Sequence, residues 1–225
     1  MEKRTQRQSS KRRMVRLAAL GLVLSLIFLG ITGIVVDTKG NIPWDVAFSQ
    51  WMKGKRTIGM GDTFFLITLF GKWFVTVPVM ACGAWGLYRL GDAIAMRGLL
   101  VSAGLDYVLT NVVKWLVKRP RPSGAVYSES FYSFPSGHAS IAMALYGFFV
   151  YLLLTRRKTG VSGGGIVVQW GLVVFAVLIV ALGVSRLYLG VHYPTDVVAG
   201  YVLGGICLVV GAYSMENGRS TDRQV

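Results

Sequence analysis

The chain has 225 residues, of which 53% are apolar and only 15% charged, with a mean hydropathy of +0.54. This balance excludes a disordered chain, a collagen-like repeat (28 Gly without a triplet period) and, with two Cys, a disulfide scaffold, and it indicates a membrane protein. The net charge of +14 then points to a membrane surface rather than to nucleic acid.

The first 16 residues carry Lys3, Arg4, Arg7, Lys11, Arg12, Arg13 and Arg16, and positive residues resist translocation, so this tail is expected in the cytoplasm. The apolar block Leu17–Val36 that follows is long enough to cross a bilayer, exceeds the about 7–15 apolar residues of a signal peptide, and has no small-residue cleavage site after it. It reads as an uncleaved first span. The connection Asp37–Thr63 is expected outside, and its Ile42–Met60 stretch has apolar residues spaced for an amphipathic interfacial helix.

The second block, Phe64–Leu87, is interrupted by Lys72 and Pro78, which places the span proper near Trp73. The third, Gly98–Val117, carries Asp106 half-way along, about 12 Å below Lys114 at 1.5 Å per residue, where it reads as a structural partner for a polar group such as Asn111. The blocks His138–Leu154, Gly165–Val184 and Val197–Tyr213 complete six spans. Arg89, Arg97, Arg156, Arg157, Lys158, Arg219 and Arg223 then all fall on the inner side, and Gly163-Gly164-Gly165 is a flexible turn there. Trp44, Trp51, Trp73, Trp85 and Trp115 suit interfacial anchors, Trp170 less clearly so, and Cys82 and Cys207 read as small buried hydrophobes. The expected fold is all-α: a polytopic six-helix transmembrane bundle with both termini cytoplasmic. A single unit, 17–215, lies between a basic tail, 1–16, and a polar tail, 216–225.

Two outer connections break the charge rule. Lys114, Lys118, Arg119 and Arg121 cluster at the outer end of the third span, and Arg186 stands at that of the fifth. An inverted topology would place the seven-positive tail outside, so the simpler reading is that cations are held there for a ligand. Lys118 and Arg119 read as side chains snorkelling to headgroups. Lys114 and Arg121 are two helical turns apart, and Pro120 and Pro122 fix Arg121 in an extended segment beside the helix end.

The only two histidines fall on the same face. His138 follows Phe134-Pro135-Ser136-Gly137 and opens the fourth span; Ser136 suits an N-cap, and the helix start offers free N–H groups to an anion, although such a cap is needed with or without a ligand. His192 precedes Asp196 by four residues, so the carboxylate can fix the ring tautomer and leave the other nitrogen as nucleophile or base. Asp196 also suits a plain helix-dipole acid, a role compatible with the first. Cations, N–H donors, an oriented histidine and a second histidine are what phosphoryl transfer requires. No cluster has metal-ligand spacing, so a metal-independent reaction without cofactor is expected.

These segments resemble the three-part signature of the type 2 phosphatidic acid phosphatase (PAP2) family of membrane lipid phosphatases. Lys-x6-Arg-Pro stands as Lys114 to Pro122, Pro-Ser-Gly-His as Pro135 to His138, and Ser-Arg-x5-His-x3-Asp as Ser185-Arg186, His192 and Asp196. The resemblance implies a six-helix bundle with its site at the membrane surface. It further implies His192 as a nucleophile forming phosphohistidine, Asp196 orienting it, and His138 protonating the leaving oxygen. Lys114, Arg121, Arg186, Ser136 and the Gly137 N–H would hold the phosphate. The family also includes soluble haloperoxidases, which six spans disfavour. A site at the outer ends of spans meets lipid phosphates of the bilayer, and likeness to small bacterial members makes undecaprenyl pyrophosphate the first choice. Phosphatidylglycerophosphate, phosphatidic acid and lipid A phosphate are the alternatives, with a bacterial plasma-membrane location and an extracytoplasmic site. A lipid phosphate and the bilayer are the expected partners and nucleic acid is not; the oligomeric state is left open. The readings from other classes are a transporter, which would spread polar residues through several spans at mid-depth, and a non-catalytic lipid-binding protein, which would lack one of His138, His192 or Asp196.

Overall fold

The computed structural model describes residues 2–158 and 165–222, with side chains over 10–156 and 165–222. The Gly163-Gly164 turn and Arg223 lie outside the described residues, as do the side chains of Lys3, Arg4, Arg7, Arg157 and Lys158. The described chain is helical with no strand. In order it forms α1 (Glu2–Asp37), α2 (Pro43–Lys53), α3 (Ile58–Leu69), α4 (Trp73–Arg89), α5 (Ala93–Val117) and α6 (Gly137–Ile141). A π-helical stretch, Ala142–Tyr146, then leads into α7 (Gly147–Lys158), followed by α8 (Gly165–Tyr188) and α9 (Pro194–Asp222).

Among the described residues five helices are long and apolar enough to cross a membrane, and α3 with α4, bent by 41° at their break, are so when taken together as one broken span. The break falls at Gly71-Lys72 and α4 begins at Trp73, where the charge of Lys72 interrupts the apolar pattern. The Ile42–Met60 stretch is not one helix. It breaks at 54–57, so that α2 is a separate short helix against α8 and α9 with Trp44 and Trp51 outward and Asp45 buried, and Ile58 already opens the bent span. The basic tail continues α1 without a break, and α9 likewise runs on to Asp222. Cys207 is buried, but Cys82 is exposed on α4, so only one of the two is a core residue.

The apolar stretches of α1 beyond Arg16 and of α8 are almost wholly unburied, as lipid-facing helices require, while α6–α7 and α9 are about half buried. The main core joins Leu99, Ala103, Leu145, Phe148, Leu182 and Met215 from α5, α7, α8, α9 and the π-helical stretch. A second cluster, including Phe28, Val35, Phe134 and Leu203, ties α1 and α9 to the segment before α6. Helix α9 packs against α1, α5 and α6. Gly200 and Gly204 make its approach to α6 possible, because a Cβ on either would collide with the carbonyl oxygens of Ser136 and Ser140. The first turns of α6 and α9 are thereby held together, and each carries a predicted site residue.

Asp106 is buried on α5, but its partner is not Asn111. It accepts a short hydrogen bond from Ser140 Oγ on α6, and Thr110 donates to the same hydroxyl at 3.2 Å. Asn111 points away and donates to the Tyr107 carbonyl at 2.7 Å, one turn back on its own helix.

Candidate active site

The outer-face residues predicted from the three motifs meet at one end of the bundle, where α5 and α8 end and α6 and α9 begin. Helix α5 stops at Val117, and Lys118 takes a left-handed conformation (φ 51°) that turns the chain. Lys114, in the last turn, donates to the Tyr132 and Ser133 carbonyls at 2.7 and 3.5 Å. Arg121, in the extended segment beyond, donates to the carbonyls of Phe131 (2.6 Å), Tyr132 (3.3 Å) and Val191 (2.8 Å). Arg186 is wholly buried and donates to Thr68 Oγ1 at 2.7 Å and to the Tyr127 hydroxyl at 2.5 Å.

His192 lies in the short 189–193 connection between α8 and α9. Its Nδ1 is 3.5 Å from Asp196 Oδ2, and its Nε2 is 3.2 Å from Arg121 Nη1. Burial, then the charges of Arg186, Lys114 and Arg121, hold the imidazole pKa well below 6.5, with Glu129 opposing. A guanidinium can only donate, so Nε2 accepts from Arg121 and the proton of the neutral ring is assigned to Nδ1, which faces Asp196 at 3.5 Å without a formed hydrogen bond.

The second motif is joined to the third through the backbone, since the Ser136 N–H donates to the Asp196 carbonyl at 2.9 Å. Ser136 holds the N-cap position of α6, but its hydroxyl makes no capping bond. Ser136 Oγ and His138 Nε2 are both buried without a hydrogen-bond partner among the described residues. Gly71, at the α3–α4 elbow, lies so close to the His138 ring that a Cβ there would strike it. His138, Gly137, Lys114 and Arg121 line a cavity of about 670 Å³ between α4 and α5, whose walls include Trp73, Val77, Met80, Asp106 and Tyr107.

Arg119 is a correction to the reading of it as a headgroup contact. Its side chain is fully buried, with Nη2 2.7 Å from Asp45 Oδ2 and Nη1 2.7 Å from Asp196 Oδ1. It also donates to the Gly40 carbonyl (2.9 and 3.1 Å) and to Thr195 Oγ1 (2.7 Å), and it stacks 4.4 Å from the Tyr193 ring centroid. Thr195 completes the group by donating to Asp45, and the Tyr193 N–H donates to Asp196 Oδ2 at 2.9 Å. Asp196 is thus clamped from one side by Arg119 and faces His192 on the other. Lys118 is exposed, with its ammonium 5.3 Å from the centroid of the Trp115 ring.

Glu129 was not singled out by any motif, although it is the one acid in the 118–137 connection. Its carboxylate lies among the cations: Oε1 is 2.7 Å from Arg186 Nη2 and 3.1 Å from Lys72 Nζ, and Oε2 is 3.2 Å from Arg121 Nη2. Burial raises its pKa, but the charge and hydrogen bond of Arg186 outweigh this and bring it well below the usual carboxylate range. An anion is therefore bound where Lys72, Arg121 and Arg186 converge. Among the described residues no three His, Cys, Asp or Glu side chains are placed to hold a metal ion.

Comparison with known proteins agrees with this geometry. The sequence profile of the PAP2 superfamily matches residues 95–220. The phosphatidylglycerophosphatase B of Bacillus subtilis is 32% identical over 191 residues, covering 80% of this chain and 87% of its own. The undecaprenyl-diphosphatase of Sulfolobus acidocaldarius is 27% identical over 190 residues, covering 81% and 84%. The crystal structure of a transmembrane PAP2 type phosphatidylglycerolphosphate phosphatase from Bacillus subtilis superposes with a TM-score of 0.74 at 26% identity, over 85% of this chain and 94% of that one.

Proposed function

The chain belongs to the PAP2 superfamily, is a membrane lipid phosphatase on the strength of that kinship, and, we propose, cleaves a lipid pyrophosphate, with undecaprenyl pyrophosphate the first choice, through a phosphohistidine on His192. The observation that carries the mechanism is the position of the His192 ring, with Asp196 3.5 Å from Nδ1 and Arg121 3.2 Å from Nε2. Arg121 moves from Nε2 onto a phosphate oxygen as substrate binds. The freed Nε2 attacks the terminal phosphorus, and Lys114, Arg121, Arg186, Ser136 Oγ and the Gly137 N–H stabilise the equatorial oxygens. The phosphorus–oxygen bond to the leaving group breaks as His138 protonates that oxygen. In the second step His138 takes a proton from water, which attacks the phosphohistidine and releases inorganic phosphate. Asp196 steadies the positive ring of the intermediate, and no step calls for a metal.

The lipid chain of the substrate would lie along the apolar wall of the cavity between α4 and α5, where Trp73, Val77 and Met80 stand in the same lining as His138. We place residues 17–215 as the phosphatase unit of a bacterial plasma-membrane protein, with both termini cytoplasmic and the site on the extracytoplasmic face, because the basic tail and inner turns are the stronger orientation signal. Phosphatidylglycerophosphate is the second reading, favoured by the Bacillus subtilis relative and its structural counterpart; phosphatidic acid and lipid A phosphate follow. The test is phosphate release by purified protein from each lipid in excess chelator, with rapid quenching to trap acid-labile phosphoprotein. Activity lost on chelation, or full activity in His192→Ala, would sink the mechanism.

A further inference from the structure

Lys72 belongs to none of the three motifs, yet it stands in the same charge cluster. It precedes α4 at the elbow, and its ammonium is 3.1 Å from the Glu129 oxygen that Arg186 reaches at 2.7 Å, so the two cationic nitrogens lie within 5.8 Å of each other. One anionic oxygen is thus shared by two cations, while Arg121 holds the other oxygen of the same carboxylate.

The two cations differ in what lies behind them. Arg186 is completely buried and does not border the cavity, whereas Lys72 is 29% exposed and lines it together with His138. The residue before Lys72, Gly71, is packed on the His138 ring. Lys72 therefore lies on the side from which a lipid chain reaches the site and where the proton donor to the leaving group stands, and Arg186 lies on the far side.

We propose that Lys72 binds the second, departing phosphate of a lipid pyrophosphate and so selects substrates in which two phosphoryl groups share a bridging oxygen. This rests on the phosphohistidine mechanism proposed above. When Nε2 of His192 bonds to the terminal phosphorus, the bond from that phosphorus to the bridging oxygen breaks. Its electron pair passes to the departing phosphate, which then takes a proton from His138 and leaves as the lipid monophosphate. The negative charge that grows on this group during bond cleavage lies beside Lys72, where a fixed cation lowers the barrier. A lipid monophosphate brings no anion to this position, and in phosphatidylglycerophosphate a glycerol carries the second phosphate past it. Three cations, Lys72, Arg121 and Arg186, are balanced by the single charge of Glu129 in the substrate-free protein, and a pyrophosphate taking the place of that carboxylate neutralises them more completely.

Farnesyl pyrophosphate and farnesyl monophosphate share one chain and differ by one phosphate, so they are the probes. Kcat/KM for both, measured on purified full-length wild type, Lys72→Met and Lys72→Arg in detergent and excess chelator, gives a pyrophosphate-to-monophosphate ratio for each protein. Lys72→Met is expected to lower that ratio by about tenfold or more, and Lys72→Arg to restore most of it, because a positioned donor at developing charge is worth at least that factor. Residual monophosphate turnover reports that the variant is folded. An unchanged ratio in Lys72→Met, whether both activities persist or fall together, overturns the role of Lys72 while leaving pyrophosphate cleavage by the wild type intact. A wild type that hydrolyses farnesyl monophosphate or phosphatidylglycerophosphate but not farnesyl pyrophosphate overturns the pyrophosphate reading itself, and the role of Lys72 with it.

Discussion

Replacement of Arg119 by Met keeps most of the side-chain length and removes the charge that joins Asp45 on α2 to Asp196 on α9. All three side chains are fully buried, and each carboxylate is 2.7 Å from a guanidinium nitrogen. Removing one partner of a buried ion pair costs about 3–5 kcal/mol, because the other is left charged and uncompensated. Here two carboxylates lose the same cation and the Gly40 carbonyl loses both of its bonds, so the upper end, about 5 kcal/mol, applies. For a chain of this size each kcal/mol moves the unfolding midpoint by about 2–4 °C, giving a fall of about 10–20 °C. Catalysis should suffer as well, since Asp196 loses the contact that fixes its Oδ1 and with it the orientation of His192; misplacement on the scale of 1 Å lowers turnover by about 10²-fold. Unfolding followed by tryptophan fluorescence in detergent measures the first effect, and phosphate release well below the midpoint measures the second. Asp45→Asn placed in the Arg119→Met background removes one stranded charge, so it should recover stability without recovering turnover. A midpoint for Arg119→Met within about 2 °C of wild type would refute the buried clamp.

Three other outcomes follow from the same geometry. The His192 pKa is depressed in the folded protein, so between that value and 6.5 the unfolded chain binds the extra proton: acidification through this window weakens folding, and the cost vanishes above 6.5. NMR titration of a His138→Gln variant, in which His192 is the sole histidine, should show a midpoint below 6.5 that rises toward it in Arg121→Gln; a midpoint at or above 6.5 contradicts the neutral nucleophile. Glu129→Gln removes the carboxylate that competes for Lys72, Arg121 and Arg186, so inhibition by inorganic vanadate should tighten, and an unchanged or weaker inhibition constant would show that Glu129 does not occupy the anion position. Gly204→Val drives a side chain into the Ser140 carbonyl and should destabilise the bundle by about 1–3 kcal/mol, read as a lower midpoint and lower turnover; a variant as stable as wild type would mean that α6 and α9 are not in backbone contact.

What the sequence determined by itself is whatever depends on short stretches. Six apolar blocks of bilayer length follow from local composition, as does the break of the second one at Lys72, and the helices lie where those blocks do. The motif residues are likewise legible, because Lys114 and Arg121, Ser136 to His138, and Arg186, His192 and Asp196 are each grouped within a few turns of chain. The tertiary structure alone decided the partners. Lys118 and Arg119 are adjacent cations at a helix end, and no local pattern distinguishes them; the left-handed turn at Lys118 leaves that residue over Trp115 and sends Arg119 inward to carboxylates 74 and 77 residues away. Asn111 is five residues from Asp106 and looked a natural partner, but successive residues of a helix face different ways, and it is Ser140, 34 residues on, that meets the acid. Glu129 and Lys72 are separated by 57 residues and by a bend in the second span, so their meeting with Arg186 depends on how helices pack. A buried charge is stable only beside its counter-charge, and which counter-charge arrives is a property of the packed bundle rather than of any stretch of chain.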